Sequence, residues 1–282
     1  MSMDLLQEKI RKTKSPILVD LAIMPEHIPA AFLQEHTEAE AMNAYCRELL
    51  NGLKGKVAGV RFNFDQWALL DQLQMLRKLM EFAQELGYFV LLDGPVTMTP
   101  WAAQRAASMF ASWPMDAMLI CPYIGSDALK PFLAACKDGK ALFLAVRTPN
   151  KTAPELQDLM TGARLVHVAA ADHVNRHGES ILGKCGYSQL GILTAATSAN
   201  AVKVLREKFN RMFLLVDGLD YPGGNGKNCS YGFDRFGHGC AMSVGPAITA
   251  AWTENQEADP IECAQQAIER IRNNMNRYIT IL

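Results

Sequence analysis

The sequence lacks the features that would place it in a membrane, outside the cell or on nucleic acid. No apolar run approaches the roughly 20 residues needed to span a bilayer. The opening MSMDLLQEKIRKTK is an amphipathic charged segment, not a short basic region followed by an apolar one, so no secretory signal is expected. Lys and Arg number 28 against 29 Asp and Glu, a formal net charge of −1, and they form no basic stripe. Nucleic acid is therefore not expected as a partner. The seven cysteines are odd in number, widely dispersed and without a C-x-x-C pair, which suits reduced thiols and no disulfide framework. Cys229, His238 and Cys240 lack the spacing and the fourth ligand of a zinc site. The expected location is the cytoplasm.

What is present is alternation. Eight short aliphatic runs, Pro16–Leu21, Lys56–Phe62, Tyr88–Asp93, Ala117–Cys121, Ala141–Val146, Leu190–Thr194, Met212–Val216 and Cys240–Val244, are separated by longer amphipathic stretches. This is the form of repeated βα units, and eight is the number that closes a parallel barrel. The fold class expected is α/β, a single-domain (β/α)8 TIM barrel over residues 1–282. A doubly wound open sheet is the alternative that the strand count disfavours. Between the second and third runs, Trp67, Leu70, Leu73, Leu76, Leu79, Met80 and Ala83 fall at helical spacing and predict one helix over Gln66–Leu86, stopped by Gly87. Two loops rich in turn formers, after the fifth and seventh runs, are expected on the C-terminal rim, where barrels keep their sites. His167, His173 and His177 fall on a helix before the sixth run, away from that rim, and read as solvated or capping histidines.

Several segments carry a resemblance: LLQEKIRKTKSP, CPYIGSDALKPFL, LFLAVRTPNKTAPELQDL, FLLVDGLDYPGG and FDRFGHGCAMSVGPAI. Together they resemble orotidine 5'-phosphate decarboxylases of the longer bacterial type. CPYIGSDALKPFL is the most specific of them. The resemblance implies a barrel that pairs into a dimer, needs no metal or organic cofactor, and removes CO2 from orotidine 5'-monophosphate to give UMP. It also implies an Asp-Lys-Asp charge array, completed across the dimer, that acts by preorganised electrostatics.

The residues aligned with that array are Asp93 through Thr99. Asp93 keeps the first carboxylate, Pro95 stands at the lysine position, and Met98 at the position of the cross-dimer Asp. Proline has no side-chain donor and no N–H. Ala22 aligns with the ribose-contacting Asp, with Asp20 two residues earlier on the same strand face. Arg61 aligns with the second-strand lysine and Pro149 with the base-reading Ser. Pro222 and Pro246 align with the Gln and Arg that hold phosphate, while Gly223 and Gly224 remain to offer amides. The catalytic remnants are thus Asp93 and Arg61, and the expected ligand pocket comprises Asp20, Asn63, Arg147, Asp217, Gly223 and Gly224, with Asp220 also at the strand ends. These charges are expected either to line a remodelled pocket or to neutralise one another, and a cation among the carboxylates is the lesser option. The expected function is a decarboxylase-like barrel that has lost decarboxylation and acts as a binding or regulatory protein. It would take a small-molecule or nucleotide-like ligand and pair with itself or with an active homologue. The alternative is an active lyase, with residual decarboxylation or new chemistry at Asp93 and Arg61.

Overall fold

Strands of a parallel barrel are covered on both faces, so they should be short and mostly apolar, and these are, with polar residues toward their C-terminal ends. A computed structural model describes residues 1–34 and 36–281. Its strands are β1 (Ile17–Asp20), β2 (Gly59–Asn63), β3 (Phe89–Asp93), β4 (Ala117–Ile120), β5 (Ala141–Ala145), β6 (Leu190–Ala195), β7 (Leu214–Asp217) and β8 (Cys240–Val244). They close into a barrel in the order β1-β8-β7-β6-β5-β4-β3-β2, every pair parallel. The (β/α)8 barrel expected from the sequence is the observed fold. Each aliphatic run lies on one strand, to within a few residues at its ends.

Helices wrap the outside: α1 (Ser2–Thr13), α2 (Glu38–Gly52), α3 (Leu73–Glu85), α4 (Pro100–Ser112), α5 (Val166–Gly178), α6 (Ala199–Lys208) and α7 (Pro260–Met275), with shorter turns between them. The helix expected over Gln66–Leu86 is instead two, Phe64–Leu69 and Leu73–Glu85. Asp71 sits in the left-handed region at φ 54°, and Leu69 next to the break is 89% exposed, so the apolar spacing bridges a turn. Gly87 does end α3, at φ 90°, with its amide donating to the Gln84 carbonyl. Among the described residues no helix is long and apolar enough to cross a membrane.

The barrel interior is filled by buried Leu18, Phe89, Leu91, Phe143, Phe213 and Leu215. Phe143 and Phe213 meet edge to face, with ring centroids 6.3 Å apart. Two glycines allow close approaches here. A Cβ on Gly59 would stand 2.3 Å from the Phe89 carbonyl oxygen, and one on Gly191 2.7 Å from the Phe143 ring. A second apolar layer, with Tyr45, Trp67, Phe110 and Phe132 fully buried, lies between strands and helices.

At the N-terminal end α1 closes the barrel. Met3, Leu6 and Ile10 are buried beneath it. Three bonds pin it to late parts of the chain. The Met3 amide donates to Gln189 Oε1 (3.1 Å), the Cys185 amide to Asp4 Oδ1 (2.7 Å), and the Gly239 amide to Gln7 Oε1 (3.0 Å). With that end plugged, the C-terminal rim is left as the open face.

Candidate functional site

Strand register sets the site. Asp20 pairs with Arg61, Asn63 with Asp93 and Ala195 with Asp217, so the polar residues ending β1, β2, β3 and β7 reach the same level at the mouth. Arg61, one residue pair below the end of β2, is 10% exposed and points inward. Its Nη1 lies 3.1 Å from Asp20 Oδ2 and 2.9 Å from Asp217 Oδ2, and also donates to Ser243 Oγ at 3.1 Å. Its Nη2 donates to Asp93 Oδ2 at 2.5 Å. One guanidinium thus holds three carboxylates from three strands.

The charges in this knot do not balance. Burial works against the Arg61 charge, but the three carboxylates outweigh it and hold its pKa well above the ordinary value. Asp20 shows the other side of the imbalance. Burial pushes its carboxyl up to about 6, against the pull of Arg61 and with the help of Asp217. Its second oxygen accepts from the Ala22 amide at 3.1 Å, so Asp20 turns back over the position where the resemblance places a ribose contact.

Above the knot lies a cavity of about 390 Å³. Its apolar wall includes Leu119, Ala145 and Leu193, its polar side Arg61, Asn63, Asp65, Asp93 and Asp217, and Pro95, Pro149 and Tyr221 lie around it. A second recess of about 390 Å³ shares Pro149, Asn150 and Tyr221 with it and is bounded by Arg147, Lys151 and Pro222. Asp93 and Arg61 therefore line an open cavity. Pro95 is part of its wall, whereas Met98 is 70% exposed and lines neither space. No lysine is among the residues bounding the cavity above the knot. The guanidinium sits where a cation among Asp20, Asp93 and Asp217 would have to stand. Among the described residues no group of three or more His, Cys, Asp and Glu is arranged to hold a metal ion.

Other expected pocket residues are placed differently. Arg147 borders the second recess, but its guanidinium is 4% exposed and forked onto Asp158 at 2.9 and 3.0 Å. Asn63 lines the cavity above the knot while its Oδ1 accepts from the Gln66 amide and starts the next helical turn. Gly223 and Gly224 line neither space, and the Gly224 amide donates to the Tyr221 carbonyl at 2.9 Å. A Cβ on Gly224 would lie only 1.9 Å from the Gly218 oxygen, so this glycine serves tight backbone packing.

His167 differs most from its expected surroundings. An antiparallel pair, Met160–Thr161 with Arg164–Leu165, folds the start of α5 back against the β5 loop. His167 is 1% exposed there, its Nδ1 3.1 Å from Asp158 Oδ1 and 2.9 Å from the Gln157 oxygen, which makes it part of the Arg147 support. His173 and His177 are half-buried with ring centroids 5.1 Å apart. Cys229 and Cys240 are buried, and burial raises both thiols, Cys229 to about 12, away from thiolate chemistry.

Sequence reasoning missed Asp65, Ser243, Asp158 and Tyr221. Asp65 lines the cavity, its carboxyl raised by burial and by nearby Asp93. Tyr221 adjoins Asp220 in a loop already expected on the rim, which was the available signal. Asp158 and Ser243 gave none, because their partners lie 11 and 182 residues away.

No family model matches the chain. It is 26% identical over 301 residues, 98% of each chain, to an orotidine 5'-phosphate decarboxylase of Caldicellulosiruptor bescii. It is 27% identical over 266 residues, 87% of each chain, to one from Rhodopirellula baltica. Among solved structures, the OMP decarboxylase of Leishmania donovani superposes with a TM-score of 0.73 at 25% identity, covering 98% of this chain and 99% of that one. The Plasmodium berghei orotidine 5'-monophosphate decarboxylase superposes at 0.79 with 14% identity, over 98% and 99%, and so shares the fold. Over nearly its whole length, the chain has orotidine 5'-phosphate decarboxylases as its relatives and structural neighbours.

Proposed function

We propose that this chain is an orotidine 5'-phosphate decarboxylase-like barrel, of the kind that serves pyrimidine biosynthesis, that does not decarboxylate orotidine 5'-monophosphate and instead binds a small polar ligand at its rim. One observation carries the reading. Arg61, the cation bounding the cavity above the knot, is held by three carboxylates, and the resemblance puts Pro95 at the family's lysine position. Decarboxylation leaves a carbanion that needs a nearby proton donor. A guanidinium fastened by Asp20, Asp93 and Asp217, with its pKa driven further upward, is a poor one. The 390 Å³ cavity, with an apolar wall facing a polar one, supports retained binding.

Val96, Met98 and Trp101 stand exposed beside this rim and support pairing with a second barrel, either a copy of this chain or an active homologue. A second reading, residual or new lyase chemistry, is favoured by one observation. Asp20, with its carboxyl at about 6, lies against Arg61 and could exchange protons near neutral pH.

The purified protein, assayed for CO2 release from orotidine 5'-monophosphate, is expected to show none above the uncatalysed rate. Turnover of roughly 1 per second or faster, the ordinary range for enzymes, would overturn the proposal.

A further inference from the structure

We propose that Asp220 makes this barrel reject phosphate monoesters, because its carboxylate occupies the place a phosphate would take. The inference rests on the reading that the rim cavity binds a ligand, and it narrows the class of that ligand. Barrels commonly hold phosphate beyond their seventh and eighth strands, on backbone amides that converge on one point. In this chain such amides already have an occupant. After β7 the chain turns through Gly218, and the Asp220 side chain reaches across to the end of β8. There Oδ2 accepts from the Gly245 amide at 2.8 Å and Oδ1 from the Ala247 amide at 2.7 Å. Two oxygens of one anion on two amides, two residues apart, is the forked arrangement that two phosphate oxygens would adopt. The place adjoins the Arg61 knot, since a Cβ on Gly245 would lie 3.5 Å from Asp20 Cβ and 3.8 Å from Asp220 Oδ2.

An arriving phosphate would have to eject Asp220 and leave its carboxylate beside Asp217 and Asp20. Most of the neighbouring donors are already engaged or absent, and the Tyr221 hydroxyl adds a single neutral one. Pro222 and Pro246 have no N–H. The Gly224 amide is bonded to Tyr221, Arg147 is forked onto Asp158, and Arg61 is surrounded by carboxylates. Lys151, exposed on the outer recess, gives a phosphate only a screened surface attraction. The ligand class is therefore unphosphorylated, neutral or cationic, and rich in hydrogen-bond donors.

The test uses the full chain with inorganic phosphate and UMP as probes, read by thermal unfolding and titration calorimetry, on wild type, Asp220→Ala and Asp220→Asn. Wild type is expected to show no binding to either probe. Asp220→Ala should melt lower than wild type, and phosphate should raise its Tm by about 2 °C or more. Should the Ala variant fail to fold, Asp220→Asn, which keeps the shape and one amide acceptor, is expected to show the same gain in smaller measure. Wild type binding phosphate or UMP as well as the variants do, or neither variant gaining phosphate binding, overturns the role of Asp220. Neither result needs turnover, so a protein that binds phosphate without decarboxylating sinks this inference alone. CO2 release from orotidine 5'-monophosphate, itself a phosphate monoester, overturns the functional reading and this inference together.

Discussion

At the scale of single residues, the mouth of the barrel is governed by an excess of carboxylate over guanidinium. Asp20 bears the consequence, its carboxyl raised to about 6 from an ordinary 3.8. Between about pH 4 and about pH 6 the native state holds a proton that the unfolded chain has released. Stability therefore falls as pH rises through that window, and the contribution is lost above it. Asp20→Asn keeps an acceptor for the Ala22 amide and removes the charge. Chemical denaturation from pH 4 to pH 7 should show a flatter profile for the variant, with equal or greater stability at pH 7, by up to about 3 kcal/mol. An unchanged slope would mean that Arg61 already satisfies Asp20. The residue types at this mouth were legible in the sequence, because strand ends could be read from the aliphatic runs. Their partners were not. Asp220 serves amides 25 and 27 residues ahead, a relation that only the closed barrel creates.

At the scale of elements, strand packing decides which small residues are obligatory. Gly59 lies where β2 passes Phe89, with its hypothetical Cβ 2.3 Å from one backbone oxygen and 2.8 Å from the Phe89 Cβ. Gly55, in the turn just before, has open space around it, although its φ is 76°. Gly59→Ala is expected to cost about 3 kcal/mol or more, or to leave the protein insoluble, because neither strand can yield without opening the barrel. Gly55→Ala should cost only roughly 1–2 kcal/mol, the strain of a left-handed residue. Urea titrations of the two variants separate the cases, and equal losses would show that backbone strain rather than close approach rules both. Elements were also where sequence reasoning was most and least reliable. The strands follow from near-continuous apolar runs. The break at Leu70–Gln72 escaped because Trp67, Leu70 and Leu73 keep helical spacing across a turn, and the fold of α5 onto Arg147 depends on a six-residue hairpin, Met160–Leu165, too short to give a strand pattern.

At the scale of the whole molecule, the barrel has one plugged end and one open end. The open end carries Val96, Met98 and Trp101 exposed beside the cavity, with the Arg105 guanidinium 5.4 Å from the centre of the Trp101 ring. Light scattering at micromolar concentration is expected to give twice the mass of one chain for the wild type, and that of one chain for Trp101→Glu. A monomeric wild type would move any pairing to a different partner and leave the cavity complete within one barrel. The plugged end bears on how the molecule comes to exist. The first helix docks on Gln189, Cys185 and Gly239, and β1 zips to β8. During synthesis these segments leave the ribosome long after α1 and β1, so α1 must wait for them, with Met3, Leu6 and Ile10 uncovered. Until the last strand arrives, that stretch is a natural target for chaperones that hold apolar surface. Completion of the barrel accordingly waits for its last strand.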